Sequence, residues 1–187
     1  MKEYIKDYAL LILIAGSVVI LDQLTKYIVR INLPLGQVYH PELWLSQYIR
    51  IVHWKNTGAA FGIFQNMGGI FTILSFVVAA VIFIYYPQVP RKDWPVRIAM
   101  GLLLGGATGN LIDRLARGYV TDFVSVGSFP VFNVADASIS TGVVILFIGM
   151  WLQEREAKSQ ESRLEEAEEP AIQDSASARL PEELQGE

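Results

Sequence analysis

Four apolar stretches constrain this chain more than any other feature. A helix rises about 1.5 Å per residue, so about 20 mostly apolar residues cross the hydrocarbon core of a bilayer. Residues 8–28 qualify, with unbroken apolar runs at 10–14 and 18–21. Residues 67–86 hold no charge, residues 96–112 are shorter and glycine-rich, and residues 134–152 carry one charge, Asp136, near their start. In lipid every backbone polar group needs an internal partner, so all four are expected to be helices. Lys2 and Lys6 ahead of the first stretch look like the start of a secretory signal. No small-x-small cleavage site follows, and the run leads straight into Asp22-Gln23-Leu24-Thr25-Lys26, so a retained first span is expected.

Composition agrees with a membrane body and excludes other classes. The 187 residues are 52% hydrophobic and only 18% charged, where a soluble domain has about 25% charged residues. With no cysteine, disulfide scaffolds, thiol nucleophiles and thiolate metal sites are excluded. The net charge of −4 averages two different parts. Residues 153–187 hold 4 Lys+Arg against 11 Asp+Glu, whereas residues 1–152 hold 11 against 8. The expected organisation is a four-span domain over 1–152 and an acidic tail over 153–187. The tail's Glu/Ser/Ala/Gln bias predicts disorder.

Lys and Arg near the span ends number eight on the N-terminal side of the membrane and six on the other, which favours both termini in the cytoplasm. The first loop, 31–66, is too long for a simple connection. Within it, residues 48–55 are β-branched and aromatic with rough alternation and read as a strand. Leu43, Trp44, Leu45 and Trp54 suit the membrane interface.

An acid within or beside a span is costly and marks a functional site by default. With the N-terminus inside, Asp22, Asp113 and Asp136 converge at the outer interface, joined by Asp122 from the loop between spans three and four. Asp22 and Lys26, at i,i+4, suit an intrahelical ion pair. Asp113 adjoins Arg114, so its charge is compensated there or by another span. Asp122 and Asp136 have no basic neighbour within four residues. If they meet, like charge keeps one protonated and one ionised, a pair suited to general acid and base work. The structural alternatives are plain. Asn133-Val134-Ala135-Asp136 matches a helix N-cap with an acid bonding back, and Asp122 can be a solvated turn carboxylate. Gly101, Gly105 and Gly109 form a small-xxx-small stripe for close helix packing, and Asn110 and Arg114 project toward the same outer face as the acids. Asn56-Thr57-Gly58-Ala59-Ala60-Phe61 is either a turn or a binding element.

Both histidines, His40 and His53, lie in the first loop, with no His-Glu-x-x-His and no Gly-x-Ser-x-Gly elbow. Gly105-Gly106-Ala107-Thr108-Gly109 lacks the lysine of a phosphate loop. A metal held by Asp122, Asp136 and Asn133, or a Ser–Lys dyad on Lys26, is remote.

Taken in order, Asp22-Gln23-Leu24-Thr25-Lys26, the Asn56–Phe61 segment, the run from Gly105 to Arg114, Val120-Thr121-Asp122-Phe123 and Phe132-Asn133-Val134-Ala135-Asp136 resemble the lipoprotein signal peptidases (signal peptidase II), bacterial inner-membrane aspartic proteases. The resemblance covers about residues 8–152. It implies an all-α membrane fold of four transmembrane helices, with a small extracytoplasmic β-cradle and an amphipathic helix supplied mainly by the first loop. It implies Asp122 and Asp136 as the catalytic pair and Asn56, Asn110, Arg114 and Asn133 as substrate-binding residues. Asp22, Lys26 and Asp113 are structural beside the site. The implied substrate is a prolipoprotein whose lipobox cysteine bears a diacylglyceryl group, cut just before that cysteine. Membrane lipids are the surroundings, the chain is expected to be a monomer, and no cofactor, metal or nucleic acid is implied. The segment from Asp122 to Asp136 lacks the aromatic-rich insertion of some members. Two other classes compete: a small proton-coupled transporter, whose acids would lie near the midplane, and a non-catalytic scaffold with capping acids.

Overall fold

Gly101, Gly105 and Gly109 decide which helix sits in the middle. A Cβ on Gly101 would meet Ile14 Cβ at 2.8 Å, and one on Gly105 would meet Val18 Cβ at 2.7 Å. Only glycine lets the two backbones approach this closely, as expected of a small-residue stripe in a membrane. The helix bearing them, α3 (Trp94–Arg117), packs along α1 (Lys2–Asn32) and against α2 (Gly68–Tyr85). Its opposite face meets α4 (Val134–Ser177), where Gly106 lies against Ala135 and Ile139. The computed structural model describes residues 2–41, 48–58 and 68–177. Each of the four helices is long and apolar enough to cross a membrane. Much of the outer surface is apolar, with Ile12, Ile20, Ile73 and Phe147 all exposed, which suits a lipid-facing belt.

Between α1 and α2 the chain builds β1 (Val38–Tyr39) and β2 (Ile49–Asn56). The strand expected over 48–55 is thus present one residue later. The third strand, β3 (Val120–Val126), comes from between α3 and α4 and pairs antiparallel with β2, completing an antiparallel sheet in the order β1-β2-β3. The first loop therefore supplies two strands of the cradle. The expected amphipathic helix and the interfacial Leu43, Trp44 and Leu45 lie outside the described residues, as do residues 59–61 of the Asn56 motif.

Gly118 closes α3 in the left-handed conformation (φ 78°), its N–H donating to Arg114 O, and this turns the chain directly into β3. After β3 the chain reverses, and Phe132 pairs back onto Val124 through two backbone hydrogen bonds of 2.8 and 3.0 Å. That reversal brings the start of α4 beside β3.

The chain divides into two units, residues 1–147 and 148–187. Helical backbone extends through Ser177, over residues whose composition predicted disorder. Alanine, glutamate, glutamine, lysine and arginine are all strong helix formers, so a chain too polar to make a core still favours a helix.

Candidate active site

Lys26 is fully buried, and its surroundings explain how. Its ammonium lies 2.8 Å from Asp22 Oδ2, 3.3 Å from Asp113 Oδ2 and 3.0 Å from Asn110 Oδ1. The i,i+4 pair read from the sequence is present, but it is one side of a larger cluster. Asp113 also meets Arg117 at 3.1 Å and Arg30 at 3.5 Å, and its Oδ2 accepts the backbone N–H of Thr121 at 3.0 Å. Its charge is compensated by another span and by its own i+4 neighbour, not by the adjacent Arg114. Asp22 Oδ1 accepts the N–H of Ala135 at 3.0 Å, one of the donors left over at the start of α4. Each buried charge thus has several partners, the condition under which burial is tolerable.

Asp136 is fixed by the cap expected of Asn133. Asn133 Oδ1 accepts the Asp136 N–H at 2.9 Å, and Asp136 Oδ2 accepts the Asn133 N–H at 3.2 Å, a reciprocal capping box. The other carboxylate oxygen accepts from Asn110 Nδ2 at 2.8 Å. The cap holds the carboxylate in one rotamer at the positive end of a helix while leaving the side chain half-buried.

Asp122 is not a solvated turn residue. It lies within β3 opposite Trp54, 1% exposed. Its Oδ2 accepts from Asn56 Nδ2 at 2.9 Å and its Oδ1 from Asn133 Nδ2 at 2.7 Å. Burial pushes its carboxyl up to about 7, and the Asp136 carboxylate pushes the same way. The amide hydrogen bonds from Asn56 and Asn133 and the charge of Lys26 act in the opposite direction. Asn133, fully buried, touches both acids and also reaches Asn110 Oδ1 at 3.2 Å.

Asp136 stands at the polar end of a cavity of about 780 Å³, and Asp122 is buried behind Asn56 and Asn133. Asn56, Asn110, Arg114 and Asp136 line that end. Phe71, Leu74 and Val78 from α2, Leu103 from α3, and Ile139 and Val143 from α4 line the rest. The Arg114 guanidinium lies 5.4 Å from the centre of the Phe71 ring, within cation–π range. A cavity of this form accepts a molecule with a polar reacting group and a long apolar part.

The sequence pattern marks every acid here, but not Gln23, Arg30 or Thr121. Gln23 Nε2 bridges Asp22 Oδ2 and Gly109 O, each at 3.1 Å. Arg30 NH1 donates to Thr121 Oγ1 at 3.3 Å, fastening β3 to α1. The spacing of Lys26 and Arg30, one helical turn apart, was the available signal. His53 has a local structural contact, its Nδ1 lying 2.7 Å from Leu33 O.

The family model described as signal peptidase (SPase) II matches residues 14–152. Among curated proteins, the lipoprotein signal peptidase of Dehalococcoides mccartyi is 43% identical over 136 residues, covering 70% of this chain and 81% of that protein. The lipoprotein signal peptidase of Shouchella clausii is 38% identical over 148 residues, covering 78% of this chain and 95% of its own length. A solved bacterial membrane enzyme superposes with a TM-score of 0.71 at 33% identity, over 77% of this chain and 88% of that one.

Proposed function

The chain belongs to the signal peptidase II family, multi-pass bacterial membrane peptidases, and from that premise we propose that it removes signal peptides from diacylglyceryl-modified prolipoproteins, with Asp122 and Asp136 as its catalytic pair. The cut falls just before the lipidated cysteine of the lipobox. The observation that carries this reading is that Asn133 ties the two acids together and that one of them, Asp136, lines the polar end of a largely apolar cavity. Peptide and lipid are the two parts of such a substrate, and the cavity has a polar and an apolar part to match.

Asp136 is the half-buried acid and it lines the cavity, so in this reading it is the base that meets water. Asp122 is deeply buried with its carboxyl raised to about 7, which keeps it mostly protonated under mildly acidic conditions. Asp136 draws a proton from water as the water oxygen bonds to the scissile carbonyl carbon. Asp122 gives its proton to the carbonyl oxygen. On collapse the C–N bond breaks, the departing nitrogen takes the proton from Asp136, and Asp122 recovers its own. Arg114, on the cavity wall, supplies a donor for the developing oxyanion, while the Asn110 and Asn133 amides hold the acids. Asn56 joins the substrate side of the cavity to Asp122. The enzyme works as a monomer in the bacterial inner membrane among its lipids, with the site at the periplasmic face and both termini cytoplasmic.

Purified protein in detergent micelles, given a precursor with a diacylglyceryl cysteine, should cleave it. Asp122→Asn and Asp136→Asn should each lower kcat by about 10³-fold or more while the helical circular dichroism is retained. Full activity in either variant sinks the assignment.

A further inference from the structure

An asparagine side chain donates at one end and accepts at the other, and the two ends are nearly the same size. At Asn110 a neighbour removes the ambiguity. Lys26 Nζ, which can only donate, lies 3.0 Å from Asn110 Oδ1. The amide therefore faces Lys26 with its oxygen and Asp136 with its nitrogen, 2.8 Å from Asp136 Oδ1. The same oxygen accepts from Asn133 Nδ2 at 3.2 Å, and that nitrogen reaches Asp122 Oδ1 at 2.7 Å. The Asn133 amide is already oriented by the Asp136 N–H on its Oδ1, so the ammonium decides which end of the Asn110 amide is offered to Asp136. Lys26 is itself held by Asp22 and Asp113, and it is fully buried, so it touches nothing in the cavity.

We propose that Lys26 is a positioning residue for the proteolytic reaction: through Asn110 Oδ1 it fixes the amide orientation that delivers an N–H donor to Asp136. This goes beyond a structural ion pair between Asp22 and Lys26, and it rests on the two acids being the catalytic pair. A residue acting from behind the site alters the chemical step and leaves substrate binding alone. The Asp22–Lys26–Asp113 arrangement is then the mount for one hydrogen bond, not only a fastening between α1 and α3.

The test measures kcat and KM separately for Lys26→Met, Asn110→Ala and the double variant, on a precursor with a diacylglyceryl cysteine in micelles. Lys26→Met should lower kcat by about 10- to 100-fold, the usual weight of a hydrogen bond to a charged group, with KM unchanged. The double variant should be no slower than the slower single one, because both changes remove the same orientation. Multiplying effects, or a change confined to KM, would overturn the role. Lys26→Met leaves Asp22 and Asp113 less compensated, so Lys26→Met with Asp22→Asn is made as a second form, and wild-type kcat in that folded protein is equally fatal. Should neither fold, Lys26→Gln with Asp22→Asn decides, since its amide can donate or accept and no longer forces the Asn110 oxygen toward it. Lost kcat then supports the proposal, and wild-type kcat ends it. Asp136→Asn is assayed alongside. Activity there would mean that the catalytic assignment itself has failed, whereas an inactive Asp136→Asn beside independent Lys26 and Asn110 effects removes only the role of Lys26.

Discussion

The helices α1 and α3 run through two ends of very different chemistry. At one end Leu11, Val96 and Met100 pack with Ile82 and Tyr86, and Tyr8 stacks on Phe83 with ring centres 4.8 Å apart. At the other end the same two helices bury Asp22, Lys26, Asn110 and Asp113. Lipid tails are as apolar as leucine, so the first end gains little from excluding solvent and relies on fit. The second end holds together through specific ionic and hydrogen-bonded partners, each of which leaves a buried charge exposed to loss. One end tolerates small changes of shape, the other almost no change of charge.

The sharpest way to break that comparison is Asp113→Ala. It removes the carboxylate that Lys26, Arg30 and Arg117 share and leaves Thr121 N–H without its acceptor. Loss of one member of a buried charge network costs about 3–5 kcal/mol, so thermal unfolding in detergent should come far earlier. A cost below about 1 kcal/mol would mean the cluster behaves like a surface salt bridge.

Asp113 also marks how far the sequence could be read. Contacts encoded by local spacing were legible: the Asp22–Lys26 pair at i,i+4, and the Asn133–Asp136 cap at three residues. The adjacent Arg114 was a poor guide to the partner of Asp113, because neighbouring helix residues point about 100° apart; Arg117, at i+4, is on the same face. β3 is hidden in the sequence for a different reason. Val120 to Phe123 are buried on both faces of the sheet, so burial does not alternate and the strand reads as loop. The pairing of Asp122 with Asn56, 66 residues apart, has no local signature. The spans were plain because hydropathy alone sets them.

The pH dependence of the polar end comes next in size. The Asp122 carboxyl is raised to about 7 by burial and by Asp136, against an ordinary value of 3.8. If its protonated form is the acid, kcat should fall roughly tenfold per unit as pH rises above about 7. Stability moves the same way. Between 3.8 and about 7 the unfolded chain has lost a proton that the folded chain keeps, so stability declines across that window and levels off above it. Asp122→Asn should flatten this part of the stability curve. A curve unchanged by the substitution would remove Asp122 as its source.

Packing along the glycine stripe ranks third. A Cβ on Gly105 would meet Val18 Cβ at 2.7 Å and the Ala15 carbonyl oxygen at 2.9 Å, so Gly105→Ala must push backbones apart, for about 1–3 kcal/mol. Gly16 on α1 has nothing within 4 Å, and Gly16→Ala should be neutral or slightly stabilising through helix propensity. Equal effects of the two in thermal unfolding would mean that close approach is not what the stripe provides.

The smallest effect, and the one of opposite sign, belongs to the apolar end. Tyr86 is fully buried, and its hydroxyl has no hydrogen-bond partner among the described residues. Its ring does the work: it lies under the Arg97 guanidinium at 4.2 Å and beside the Tyr8 ring at 5.9 Å. Tyr86→Phe keeps both ring contacts and removes a buried polar atom, so it should leave stability unchanged or raise it by up to about 1 kcal/mol. Activity should not change. Tyr8→Phe is the counterpart, since the Tyr8 hydroxyl does donate, to Phe83 O at 2.9 Å, and its loss should cost about 1 kcal/mol. If Tyr86→Phe were the more damaging of the two, the hydroxyl would have a partner, and this end would share the polar logic of the other.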